Sequence, residues 1–171
     1  MRETIPLRER KFDIVLWIFF FINVTFISYQ VDIEQLVIED PDDFEYPVWP
    51  LPVVVDLIHW WGNSFDPALM ARPVWYQMTI WIDQIFFGPF YLAALYAFWR
   101  GREWIRNWCF LWAASIMTNV TIILGEEAWG QHATDHFPIV AFANAWWFAI
   151  PLVVIVRMWG PHPFTREVNA A

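Results

Sequence analysis

The sequence predicts an all-α membrane protein: a four-transmembrane-helix bundle with a capping first extracytoplasmic connection and both termini cytoplasmic. Three observations carry this. The 171-residue chain is 58% hydrophobic and 20% aromatic, with 14 Trp, and only 16% of it is charged. That is more apolar surface than one soluble core needs, so lipid must be the solvent for much of it. Four apolar stretches are each long enough to cross a bilayer, and the basic residues gather on one side of them.

The first span is predicted over residues 12–31. Basic residues precede it, but its apolar run exceeds a signal-peptide h-region and no small-residue cleavage site follows, so it reads as an uncleaved signal-anchor. The other spans are expected over residues 73–99, 104–124 and 137–159. No long linker, repeat or low-complexity tract separates the four, giving one domain over residues 12–159 with cytoplasmic tails at 1–11 and 160–171.

Charge orients the bundle. Every basic residue except Arg72 lies at the N-terminus, in the turn between spans two and three, or at the C-terminal end. An even number of spans puts those regions on one side, the cytoplasmic one. The acids Asp32, Glu34, Glu39, Asp40, Asp42, Asp43, Glu45, Asp56 and Asp66 fill the first connection, where Arg72 is the lone cation. The net charge of -8 is therefore mostly an outward acidic face, which excludes nucleic acid as a partner.

The first connection, residues 32–72, pairs an acidic Pro-containing stretch with VVVDLIHWWGNSF, which fits a short interfacial helix capping the bundle. Trp60 and Trp61 in it are expected in an aromatic belt at headgroup level. Inside the spans, Asn23, Thr25, Asp83, Gln84, Thr118, Asn119, Thr121 and Asn144 point to a shared polar interior. At least half of them are expected to make interhelical hydrogen bonds. Pro89 and Pro151 each remove a helical hydrogen bond and open a kink that leaves room for a cavity.

Asp83 is the most informative residue. It lies about 15 Å into its span, where an unpaired carboxylate costs several kcal/mol. His132 and His136, with Glu126, Glu127 and Asp135, form a weak metal constellation without a helical HExxH frame, so no metal and no cofactor is expected.

YAFWRGREWIR (96–106), RPVWYQMTIWIDQIFFGPF (72–90), FDPALM (65–70) and Asn144-Ala145-Trp146-Trp147 followed by Pro151 together resemble the EXPERA-domain family. Its four-helix members include the emopamil-binding sterol isomerase and the sigma-2 receptor. The resemblance spans residues 12–159. It implies a pocket for a sterol-like lipid or hydrophobic amine, in which Asp32 and Asp83 face each other and Glu126 closes the third helix. The implied ligand-binding set is Asp32, Asp83, Asp66, Asn119, Glu126, Asn144 and Trp147. Two adjacent carboxyls in low dielectric do not both ionise, so one keeps its proton and the remaining charge holds an ammonium against aromatic faces. Asp32 at the end of span one and Asp83 deep in span two meet only if the second helix starts above the membrane or the first is set inward.

The alternative is a sterol Δ8-Δ7 isomerase using Asp32, Asp83 and Glu126 as acid-base groups. Ser28 stands where the isomerase has a histidine, and Phe86 where it has a threonine, which favours a non-catalytic binder. Expected partners are a sterol-like lipid or cationic amphiphile, the bilayer, another membrane protein and a second copy of the chain. The ending REVNAA lacks the sigma-2 receptor's basic retrieval signal, leaving the endoplasmic reticulum if eukaryotic and the inner membrane if bacterial.

Overall fold

The computed structural model describes residues 1–168. The last three positions of the expected tail at 160–171 lie outside the described residues. Four helices are long and apolar enough to cross a membrane: α1 (Lys11–Val37), α4 (Val74–Arg100), α5 (Ile105–Trp129) and α6 (Phe137–Arg157). Between the first two lie α2 (Pro52–Phe65) and the short α3 (Pro67–Ala71). Each starts with a proline in its first turn, where the missing N–H costs no helical bond.

Two spans run further than hydropathy indicates. α1 continues to Val37 rather than stopping at 31, because Glu34 and Gln35 turn inward and are buried. α5 continues to Trp129 rather than 124 and takes Glu126 and Glu127 into the helix. α6 ends at Arg157, two residues early.

α1 and α4 each contain a π-helical stretch, Asn23–Asp32 and Asp83–Phe87. In α4 it ends two residues before Pro89, whose ring would otherwise clash with the carbonyl one turn back. In α1 the side chains of Asn23, Thr25 and Gln30 donate to the carbonyls of Phe19, Phe21 and Thr25 at 2.8, 2.7 and 3.1 Å, so these polar groups are paired within their own helix.

The core is aromatic. Phe20 packs edge-on against Phe98 and Trp112 with centroids 5.3 and 5.5 Å apart, and Phe90 stacks on Trp112 at 5.0 Å. Ile85, Leu92, Phe142 and Val156 point outward, as lipid-facing side chains do.

The terminal segments are structured. β1 (Arg2–Thr4) pairs antiparallel with β2 (Thr165–Glu167), Arg2 opposite Glu167. Beneath this ribbon, buried Asp13 accepts from Arg10 at 2.5 Å and Arg157 at 2.7 Å, joining the start of α1 to the end of α6. Arg10 also donates to the Phe98 carbonyl at 2.7 Å, which adds the end of α4.

At the opposite end, α2 and α3 form the cap. Val54 and Ile58 of α2 and Leu69 of α3 bury against Phe26 and Val31 of α1. A buried ion pair pins it: Arg72 donates to Glu34 at 2.7 Å and to the Ile38 carbonyl, and His59 meets the same Glu34 oxygen at 2.8 Å. Arg72 adopts the left-handed backbone conformation at φ 46, a cost of about 1–2 kcal/mol for a residue with a Cβ. The chain accepts that cost where Arg72 both ends α3 and neutralises Glu34.

Candidate functional site

A cavity of about 430 Å³ lies between the cap and the inner halves of the four spans. Its position follows from the elements just described. The π-helical stretches widen α1 and α4 where they face each other, and the cap roofs the space with Leu57, Ile58, Trp60 and Trp61.

Asp32 of α1 and Asp83 of α4 line the same cavity, each more than nine-tenths buried. The extension of α1 to Val37 narrows their depth mismatch. Asp32 lies about 8 Å inside the end of α1 and Asp83 about 14 Å inside the start of α4, at about 1.5 Å per residue. Counted from the helix ends, the offset that remains is about 6 Å.

The pair is held from behind. Gln84 of α4 donates to the Ser28 carbonyl of α1 at 2.7 Å, and the fully buried Ser28 hydroxyl sits beside Asp83. Among the described residues, Ser28 Oγ, Asp83 Oδ1 and Gln35 Oε1 are three of the buried side-chain atoms with no hydrogen-bond partner. Asp83 and Gln35 belong to the cavity wall, so their polar atoms are within reach of a ligand, and the Ser28 hydroxyl lies behind Asp83.

Six of the seven predicted site residues share this wall: Asp32, Asp66, Asp83, Asn119, Asn144 and Trp147. Asn119 donates to the Thr79 carbonyl at 3.4 Å, and Asn144 bonds its own helix at Val140. The indole N–H of Trp147 donates to Asn23 Oδ1 at 2.8 Å, bridging α6 to α1. Glu126 does not line the cavity; it accepts from His132 and closes the hairpin after α5.

Several expectations change. Trp60 and Trp61 line the cavity instead of forming only a belt, because α2 packs across the bundle rather than floating at the interface. Thr25, Thr118 and Thr121 are exposed and bond their own helices at Phe21, Ala114 and Met117, so they do not contribute to the interior. Phe86 turns toward Trp108 while Phe87 takes the cavity wall.

Sequence reasoning missed two buried groups. Tyr76, on the wall beside Gln35, carries no signal beyond an aromatic residue near a span entrance. Glu127 is fully buried and faces Asp66, while both its oxygens lack a partner among the described residues. Asp66 caps α3 by accepting the Leu69 N–H at 3.0 Å.

Residues 53–158 match the family described as EBP: EXPERA (EXPanded EBP superfamily). The chain is 30% identical over 117 residues to sigma intracellular receptor 2 of Xenopus tropicalis, covering 67% of this chain and 65% of the frog protein. It is 32% identical over 71 residues to the Homo sapiens and Macaca fascicularis proteins of the same name, covering 40% of each chain. The match to these relatives thus spans under two thirds of their length.

Proposed function

The chain belongs to the EXPERA family of multi-pass integral membrane proteins, and on that premise we propose that its cavity binds a sterol-like lipid or a hydrophobic amine. One observation carries the reading. Two carboxyls, Asp32 and Asp83, share a cavity otherwise walled mainly by apolar and aromatic side chains. A hydroxyl or ammonium donor on a rigid apolar body pairs with these carboxyls, and the surrounding rings and aliphatic groups take up the rest. For an amine, the carboxyl pair supplies a countercharge and Trp147 a ring face. The similarity to proteins named receptors supports ligand binding as the family theme.

The reading is of a binder without catalysis. Ser28 does not titrate near neutral pH, and Phe86 offers neither a hydrogen bond nor a place on the wall. Glu126, the third acid of the isomerase reading, is engaged with His132 outside the cavity. Both termini are proposed to face the cytoplasm, from the charge asymmetry of the turns.

Lipid mass spectrometry on protein purified in mild detergent tests this. A sterol-like lipid should co-purify and be displaced by a hydrophobic amine. Recovery of bulk phospholipid alone, with no displacement and no sterol binding on reconstitution, would overturn it.

A further inference from the structure

A second recess, of about 980 Å³, lies at the end of the bundle that carries the termini, far from the cap. The N-terminal strap crosses over the start of α1 and the end of α4 there. The recess has two chemically distinct parts. Arg8 and Arg100 form its rim, while Ile14, Trp17, Ile18 and Trp99 form a wall that continues onto the lipid-facing side of the spans.

The rim is cationic in excess of what the fold uses. Arg2, Arg10, Arg72, Arg157 and Arg166 are in ion pairs, and Arg106 donates to the carbonyls of Met158, Trp159 and Gly160. Among the described residues, Arg8, Lys11, Arg100 and Arg102 make no ion pair and no side-chain hydrogen bond, and all four are exposed. Only two of them, Arg8 and Arg100, share the recess. Guanidinium groups engage phosphate oxygens through paired N–H donors.

The wall is apolar and exposed. Ile18 is 48% and Trp99 58% exposed, and Trp17 and Trp99 lie side by side with ring centroids 6.0 Å apart. The Trp17 N–H is already spent on the Leu95 carbonyl at 3.1 Å, so its ring presents an apolar face rather than a polar one. Tryptophan and arginine at a span end are the side chains that settle at headgroup depth.

We propose that this recess binds an anionic phospholipid, with Arg8 and Arg100 holding the phosphate and Ile14, Ile18, Trp17 and Trp99 flanking an acyl chain. A free anion would satisfy the rim and leave the wall bare. A zwitterionic lipid would bring its ammonium against two unpaired guanidiniums. An anionic lipid fits both parts, and the strap that completes the site is fixed by the β1–β2 ribbon.

The test uses the full chain in phosphatidylcholine nanodiscs with phosphatidylglycerol as minority lipid. Native mass spectrometry reads the enrichment of phosphatidylglycerol on the protein. Arg8→Gln with Arg100→Gln should lower that enrichment at least about 10-fold, because two charge-assisted hydrogen-bonding contacts to the phosphate are lost. Lys11→Gln with Arg102→Gln removes the same charge from the same end outside the recess, where exposed charges act only through screened attraction, and should change it less than about 3-fold. Equal loss in both variants would mean diffuse attraction, and no loss in either would mean no site; each overturns the proposal. A diazirine-tailed phosphatidylglycerol on the unmodified protein gives an answer independent of folding of the variants. Adducts should fall within Lys11–Ile22 and Gly88–Arg100, and adducts only elsewhere would contradict the site.

Discussion

Gln84 donates its side-chain N–H to the main-chain carbonyl of Ser28 across 2.7 Å, linking the π-helical stretch of α4 to that of α1. Asp83 is the residue before the donor, and Asp32 is one turn beyond the acceptor. The bond therefore sets the depth at which the two carboxyls meet. In a hydrocarbon-surrounded bundle such a bond contributes about 0.6–2 kcal/mol.

Gln84→Met should accordingly lower thermal stability in detergent modestly, by about 1 kcal/mol. It should weaken binding of a hydrophobic amine more than that loss alone accounts for, because the acids lose their alignment. Unchanged affinity with reduced stability would assign the bond a purely structural role.

The cap should depend on the Arg72–Glu34 pair. Arg72→Ala leaves Glu34, which is 0% exposed, with His59 as its one remaining side-chain partner among the described residues, at a cost of up to about 3–5 kcal/mol. Glu34→Gln in the same chain should recover much of that loss. A double-mutant cycle on thermal unfolding measures the coupling, and additive losses would show that the two residues act independently.

Cysteine accessibility checks the orientation. In a Cys109→Ser background, Asp42→Cys should react with an impermeant reagent only from the extracytoplasmic side, and Arg102→Cys only from the cytoplasmic side. The reverse pattern would invert the bundle.

The purified chain should not convert an 8-ene sterol to its 7-ene isomer above background. General acid-base groups typically contribute about 100-fold to 10,000-fold each, and Ser28 supplies none. Robust turnover would mean that Asp32 and Asp83 suffice for the chemistry.

The spans were legible in the sequence because a bilayer demands long apolar runs, and the acid pair because charge at depth is costly. What hydropathy could not show was where polar residues are covered by protein. Glu34 and Gln35 read as loop, yet they remain helical because the cap buries them. Glu126 and Glu127 read as loop for the same reason, although only Glu127 turns inward. The terminal ribbon joins three-residue strands more than 150 positions apart, too short for any alternation to register. Arg72 gave a usable signal as the lone cation among acids, but its partner Glu34 is 38 residues away and was one acid among many. Trp60 and Trp61 were ambiguous because a belt and a cavity roof have the same composition; packing of α2 on α1 decides between them.

The central claim is that Asp32 and Asp83 together supply one negative charge to the cavity ligand. Binding of a hydrophobic amine to Asp32→Asn, Asp83→Asn and the double Asn variant tests it most directly. Either single variant keeps one ionisable carboxyl beside an amide that donates in place of the proton, and should bind with moderately reduced affinity. The double variant removes the countercharge and should lose at least about 30-fold more, while a neutral sterol still binds. Equal, small effects in all three variants would contradict the account and place the ligand elsewhere.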